Sequence, residues 1–502
     1  MTLALLVSNG SFNAMTYMQA RKQANVERDE TYEQMAKYVE KGVAARKRSH
    51  MEVNPSKAAR RIKRKSSSFL YVLDNGIFRK GKPKDSSWWI NYVQFSDFIM
   101  QEMAIRKKFR ERFRLPHKYW KETFVPKLKS HPLFEQWHDG RMYAWGKKES
   151  SPIELLSLAA LKYLGRTCTF DDLQESTFIS ERTLQRFCRA FVEYGSTSLY
   201  DSVVIAPTTM EDAARHMHEM ELAGCPGAVT SMDGTHAPML RVKYGLKQVH
   251  KGHKLDKPAR AYNVAANHRR CIQHSTAGSP CTWNDKTLIM HDEWAMKLKN
   301  GEILQDVTFY LYERLEDGTI ASTLYRGAWA ITDNGYLNWS ITVPPFKFRS
   351  EKKILRWSEW IESIRKDVEC TFGIMKKRWT ILSSGIDARS IETVDQVWKT
   401  CCALHNILLV IDGRDAPWTD EGDETNCFAI QRLNSGDNEE TKECDNLPEN
   451  IADVVRDVNA EAKPIRLMSL EDFRMKLVNH FDILYTNRKL VWPKSIPRKT
   501  VI

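Results

Sequence analysis

The chain has 502 residues, 42% of them hydrophobic, with 76 Lys and Arg against 63 Asp and Glu and a formal net charge of +13. That length gives room for roughly two to four domains and at least one full-sized core, and the positive excess favours an anionic partner, nucleic acid first, because Lys and Arg displace counterions from phosphates. No run approaches the roughly 18 apolar residues of a membrane span, the opening MTLALLVSNG lacks the positive flank of a secretion signal, and the ten cysteines show no C-x-x-C spacing, which disfavours a membrane protein, a disulfide scaffold and a cysteine-ligated zinc module and leaves a soluble, intracellular protein as the expectation.

Residues 1–87 read as a flexible basic arm. Arg46-Lys47-Arg48 and Arg60-Arg61-Ile62-Lys63-Arg64-Lys65 have the form of a two-part nuclear import signal, and a basic arm lying on DNA has the same composition. Residues 88–205 form an all-α region, with Ile153, Leu155, Leu156, Leu158, Ala159 and Leu161 recurring at helical spacing. Within it, TFDDLQESTFISERTLQRFCRAFVEYG reads as helix-turn-helix-like: a short helix over 171–175, a turn, Ser180 as N-cap and a second helix ending at Tyr194. Leu184, Phe187, Cys188 and Phe191 form its apolar stripe. Arg182, Gln185, Arg186 and Arg189 then face outward, as the donors of a DNA-recognition helix would, although an ordinary solvated face has the same pattern.

Residues 206–412 change to strands followed by helices. Strands are expected at 227–233, 260–267, 271–277, 306–314, 319–325 and 328–333, and helices at 358–379 and 392–412, which together describe an α/β layer with a mixed sheet flanked by helices. Residues 413–465 are polar and acidic, notably 419–450, and read as a flexible linker. Residues 466–502 hold a last helix, 468–487, suited to docking on a domain or a partner.

Three carboxylates stand out. Asp233 ends the apolar run Ala228-Val229-Thr230-Ser231-Met232, and Asp333 ends Ala328-Trp329-Ala330-Ile331-Thr332. Acids at the carboxyl ends of buried strands lie where open α/β sheets place their sites, but Asp-Gly and Asp-Asn-Gly are also ordinary turn signals. Glu369 borders the apolar stripe Ile361, Ile364, Val368, Phe372, Met375 and Trp379, one turn from Arg365 and one turn before Gly373. It is placed to reach a sheet-edge site or simply to pair with Arg365. Three acids together suit a pair of Mg2+ or Mn2+ ions, which prefer oxygen ligands and can activate water and stabilise a leaving oxygen in phosphodiester cleavage.

The stretches SMDGTH, WNDKT, TDNGY, DVECTFGIMKKRW and CCALHN, in that order, resemble the PIF/Harbinger-type DDE transposases and the nucleases derived from them. Asp233 and Asp333 lie 100 positions apart, and Asp333 and Glu369 lie 36 apart. The resemblance implies an RNase H-like catalytic domain, catalysis by two divalent ions held on Asp233, Asp333 and Glu369, and cutting of double-stranded DNA at element ends. It also implies nuclear location, a homo-oligomer on DNA and a Myb/SANT-like accessory DNA-binding protein. His236, Asp285 and His405 lie in matching motifs, where they would orient ligands; for the two histidines a buried structural role is the better reading of the sequence, and for Asp285 an N-cap role stands beside the orienting one. The alternatives are a host-adopted nuclease and a DNA-binding regulator that keeps the fold as a scaffold.

Overall fold

The computed structural model describes residues 71–74, 77–94, 102–138, 150–252, 257–388, 390–414, 455–456, 461–487 and 489–490. The basic clusters at 46–48 and 60–65 and the acidic stretch 419–450 lie outside them. Among the described residues, no helix is long and apolar enough to cross a membrane, and the cysteines are free thiols.

Between 102 and 205, helices form where apolar residues recur every three to four positions. The four longest are α1 (Met103–Phe113), α2 (Ile153–Arg166), α3 (Phe170–Thr177) and α4 (Glu181–Tyr194). A reciprocal pair of bonds between Thr169 and Asp172 caps α3, and Ser180 occupies the N-cap position of α4. Leu184, Phe187, Cys188 and Phe191 are buried, as the stripe predicts. They are not, however, the core of a separate domain. One cluster joins them to Tyr262 of the sheet and to Val368, Phe372, Trp379, Trp398 and Leu404 of later helices, so the arrangement gives no support to a free-standing helix-turn-helix domain. Periodicity reports that a helix face is buried, not what buries it.

Helix α5 (Met210–Leu222) leads into the central sheet. Its strands are β1 (Ala228–Pro238), β2 (Ala259–Ala266) and β3 (Ile272–Ser275). After α6 (Asp285–Met290), α7 (Glu293–Asn300) and the hairpin β4 (Thr308–Arg314) and β5 (Ile320–Arg326), the chain returns as β6 (Trp329–Ile331) and β7 (Thr342–Val343). The order across the sheet is β7-β6-β1-β2-β3. β1 runs parallel to β6 and antiparallel to β2, which makes a mixed sheet.

Two long helices complete this layer, α8 (Lys352–Arg378) and α9 (Ile391–Ile411). A second core lies among β4, β5, β6, the first half of α8 and α10 (Leu470–Thr486). There Phe473, Leu477, Val478 and Phe481 are fully buried. The last helix thus docks on its own chain.

Candidate active site

β1 does not stop at Asp233, as its Asp-Gly pair suggests. It continues to Pro238 because β2 keeps pairing with it antiparallel, Asp233 opposite Val264 and Pro238 opposite Ala259. What ends near Asp233 is the parallel pairing with β6, whose last register is Ser231 with Ile331. Asp233 and Asp333 therefore each lie two residues beyond the same rung of two adjacent parallel strands. Neighbouring strands are about 4.8 Å apart, so one strand-end crevice holds both acids.

The glycines beside them have a common purpose. A Cβ on Gly234 would fall 2.8 Å from Oδ1 of Asp285, and one on Gly335 would fall 2.7 Å from Oδ2 of Asp285 and 3.0 Å from Oδ1 of Asp333. Neither glycine has a positive φ, so it is room for a carboxylate, not turn conformation, that these two positions require. Asp285 is thereby seated between the two strand ends as a fourth acid. It does not cap its helix; Asn284 does, accepting from the Thr287 N–H at 2.9 Å.

Helix α8 brings the third predicted acid to β1 through a guanidinium. Arg365 places Nη2 2.7 Å from Oε1 of Glu369 and 2.7 Å from Oε1 of Glu362, and Nη1 3.6 Å from Oδ2 of Asp233. The pairing of Glu369 with Arg365 anticipated from their spacing thus exists, and the same guanidinium also reaches the strand. Two turns on, Lys376 donates to Oγ1 of Thr235 at 2.8 Å, holding α8 against β1, and burial pulls its ammonium below the ordinary range.

Burial is the main influence on the Asp233 carboxyl. Burial pushes its carboxyl up to about 6; the Gly234 N–H, donating at 2.8 Å, and Arg365 work against the rise, while the charges of Asp333 and Glu369 add to it. Asp333 accepts from the Gly335 N–H at 2.8 Å.

Beneath the acids, the Tyr336 hydroxyl donates to Asn263 at 2.6 Å and Asn263 donates to Asp292 at 2.7 Å, while His274 lies 3.1 Å from the other oxygen of Asp292. Burial and the charges of Asp233, Asp285, Asp333 and Asp292 hold the Tyr336 hydroxyl well above its ordinary value, keeping it a donor. Burial opposes ionisation of Asp292, yet bonds from His274, the Ala295 N–H and Asn263 keep its carboxyl below the usual range. This buried network fixes the floor of the site. Tyr336 follows the Asp-Asn-Gly turn in sequence, but nothing in the sequence connects it to Asn263 or Asp292.

As the side chains stand, no group of three or more His, Cys, Asp or Glu among the described residues is placed to hold a metal ion. The donor chemistry still fits one. Every acid at the strand ends is a carboxylate, the ligand type hard divalent cations take, and a cation already lies between Asp233 and Glu369, namely Arg365.

Residues 232–406 match the family described as DDE superfamily endonuclease. No curated protein and no solved structure matches the chain significantly. The endonuclease match covers about a third of the chain and takes in Asp233, Asp285, Asp333 and Glu369, with the later part of β1 and all of β6 and α8.

Of the histidines inside the endonuclease match, His236 is half-buried on β1. His405 is fully buried on α9, its Nε2 2.9 Å from the Arg270 carbonyl; burial, helped by nearby arginines, pulls its pKa down to about 3. The structure places it in the core rather than with the acids. Arg182, Gln185, Arg186 and Arg189 precede the endonuclease match. Arg186 donates to Gln136 at 2.5 Å. Gln185 and Arg189 line a cleft of about 420 Å3 shared with Arg241, Asp387 and Ser390, so part of the predicted recognition face looks toward the sheet region.

Proposed function

We propose that this protein is a divalent-metal-dependent DNA endonuclease of transposase type, cutting phosphodiester bonds at element ends. The observation that carries this reading is the meeting of Asp233 and Asp333 beyond one parallel rung, with Glu369 tied to Asp233 through Arg365, all inside the endonuclease match. The mixed sheet flanked by helices supports the RNase H-like interpretation.

In this reading Asp233, Asp333 and Glu369 hold Mg2+ or Mn2+, and a pair of such ions supplies an activated water and charge stabilisation for the leaving oxygen. The chain's own residues do the rest. Gly234 and Gly335 leave the crevice open to Asp285, which adds negative charge beside the two aspartates and orients them. Arg365 lies between Asp233 and Glu369 and offsets part of their negative charge. The network from Tyr336 to Asp292 keeps the strand ends from relaxing apart under mutual repulsion.

Around that site we propose the wider expectations of the resemblance: the PIF/Harbinger subtype, a nuclear location, assembly as a homo-oligomer on double-stranded DNA, and a Myb/SANT-like partner. The regulator reading draws on one observation, that Arg365 already places a cation between Asp233 and Glu369. A cleavage assay separates the two. Full-length protein with Mn2+ and duplex DNA carrying the element's inverted repeat is expected to nick or cut, with Asp233→Ala reducing the rate at least ~100-fold, since Asp233 would be one of the residues that hold the metal. Equal rates for the two proteins would eliminate the nuclease.

A further inference from the structure

We propose that the groove between α1 and the last two turns of α8 is a phosphate track, carrying the backbone of duplex DNA that flanks the bond cut beside Glu369. The inference deepens the nuclease reading and rests on it for the position of the cut. The groove, of about 430 Å3, is lined by Lys107, Arg110 and Arg114 from α1 and its end, and by Lys377 and Arg378 from α8, with Glu111 as the one acid among the described lining residues.

Its positive charge is under-compensated. Among the described residues, Arg110 and Arg378 both reach the carboxylate of Asp412. Among the described residues, Arg114 donates to the carbonyls of Gly165 at 2.9 Å and Glu111 at 3.1 Å, with the Glu111 carboxylate as a nearby opposite charge. Nη1 of Arg378 is buried without a hydrogen-bond partner among the described residues. Burial, together with the charges of Arg110, Arg414 and Arg114, pulls Arg378 down to about 10 even though Asp412 opposes the shift. A fold gains nothing by crowding guanidiniums in this way, whereas an anionic ligand lying in the groove relieves all of them at once.

The groove also connects to the acids. Glu369, Cys370, Gly373 and Lys377 form one exposed strip along α8. Eight residues of helix separate Glu369 from Lys377, about 12 Å, the axial span of three to four phosphates on one strand. Gly373 lies midway. A Cβ there would meet no atom within 4 Å, so packing does not require glycine, although a glycine inside a helix costs about 1 kcal/mol relative to alanine. A bare helix surface between a catalytic carboxylate and a basic groove suits a nucleic-acid strand lying directly on the backbone.

The test is fluorescence anisotropy with full-length protein and a labelled 30-bp duplex of mixed sequence, in EDTA, across a KCl series. Lys107→Ala/Lys377→Ala alters two exposed side chains and is expected to weaken binding about 10-fold and to make the slope of log affinity against log salt shallower by about two. Arg182→Ala/Arg186→Ala, on α4, serves as the comparison. An unchanged affinity and slope for the lysine pair would overturn the track, as would a wild-type protein that does not bind the duplex. Because no bond is cut in EDTA, the result is independent of the cleavage assay. A slope change without Asp233-dependent cutting keeps the track and removes the nuclease, and the converse keeps the nuclease alone.

Discussion

Asp233 is the residue on which the electrostatics of the site converge, and its pH behaviour has a definite sign. Its folded pKa, about 6, lies above the ordinary 3.8, so the folded state prefers the protonated form. The contribution of this carboxyl to stability is fully present below about pH 4 and is lost as pH rises through 6. Two units correspond to ~3 kcal/mol. Asp233→Asn, which keeps an oxygen for the Gly234 N–H but carries no charge, is therefore expected to be more stable than the natural protein by ~2–3 kcal/mol at pH 7.5 without metal, and by only ~1 kcal/mol at pH 4.5. Urea denaturation at the two pH values measures the difference; a gain independent of pH would mean that the charge is not the cause. Addition of Mn2+ at pH 7.5 is expected to narrow or reverse the gap, since metal binding stabilises the folded state of the ionised form alone. At this scale the sequence was legible as to which acids matter but not as to what they touch. Spacing alone offered Arg365 to Glu369, because both lie on one helix. The reach of Arg365 to Asp233 and the seating of Asp285 between two glycines depend on contacts across 132 and 51 positions, which no local pattern encodes.

Among the elements, most with strong periodicity were legible to within a few residues, although α8 begins at Lys352, six residues before its expected start. β2, β4 and β5 fall within the expected strands or one residue beyond, and α9 is offset from its expected span by one residue at each end. β1 was misjudged at its far end because Asp233-Gly234 looks like a turn locally, while antiparallel pairing with β2 carries the strand on to Pro238. The CCALHN motif is the clearest case of a correct segment with a different task. On α9, Asn406 accepts from the Ile272 N–H at 2.9 Å and donates to the Ile272 carbonyl at 2.7 Å and the Val203 carbonyl at 2.9 Å. It thereby completes the edge of β3 as a neighbouring strand would, while Trp398, two turns earlier, stacks on Tyr262 with ring centres 4.3 Å apart. Asn406→Ala would leave one buried N–H and two carbonyls without these partners, an expected loss of about 3 kcal/mol. Chemical denaturation reads this directly, and a change below about 0.5 kcal/mol, within the scatter of ordinary surface substitutions, would show that water replaces the clamp.

For the whole molecule, the endonuclease match ends at Asn406, yet the strand that delivers Asp333 is held from outside that segment. Phe473 of α10 packs on Trp329 with ring centres 6.0 Å apart and on Phe309 at 6.5 Å, and Phe481 lies 5.8 Å from Trp360 of α8. Around them, Lys476 pairs with Glu313 at 2.6 Å, and His480 accepts from the Tyr312 N–H at 3.0 Å. Trp329 begins β6, four residues before Asp333, so removing α10 uncovers the root of the strand that carries a catalytic acid. Burial of Phe473, Leu477, Val478 and Phe481 is worth on the order of 6–12 kcal/mol at 1.5–3 kcal/mol per side chain, comparable with the net stability of an ordinary domain, about 5–15 kcal/mol. A chain ending at residue 460 retains every residue of the match and all four acids. It is nevertheless expected to lose cooperative thermal unfolding, to expose apolar surface that binds a hydrophobic dye, and to lose cleavage together with the fold. A peptide of residues 461–502 supplied in trans is expected to restore part of the melting transition, because the helix contributes contacts rather than chemistry. If the truncated chain melts like the full-length protein, the second core is ornamental to β6, and the position of Asp333 depends on β1 and β7 alone.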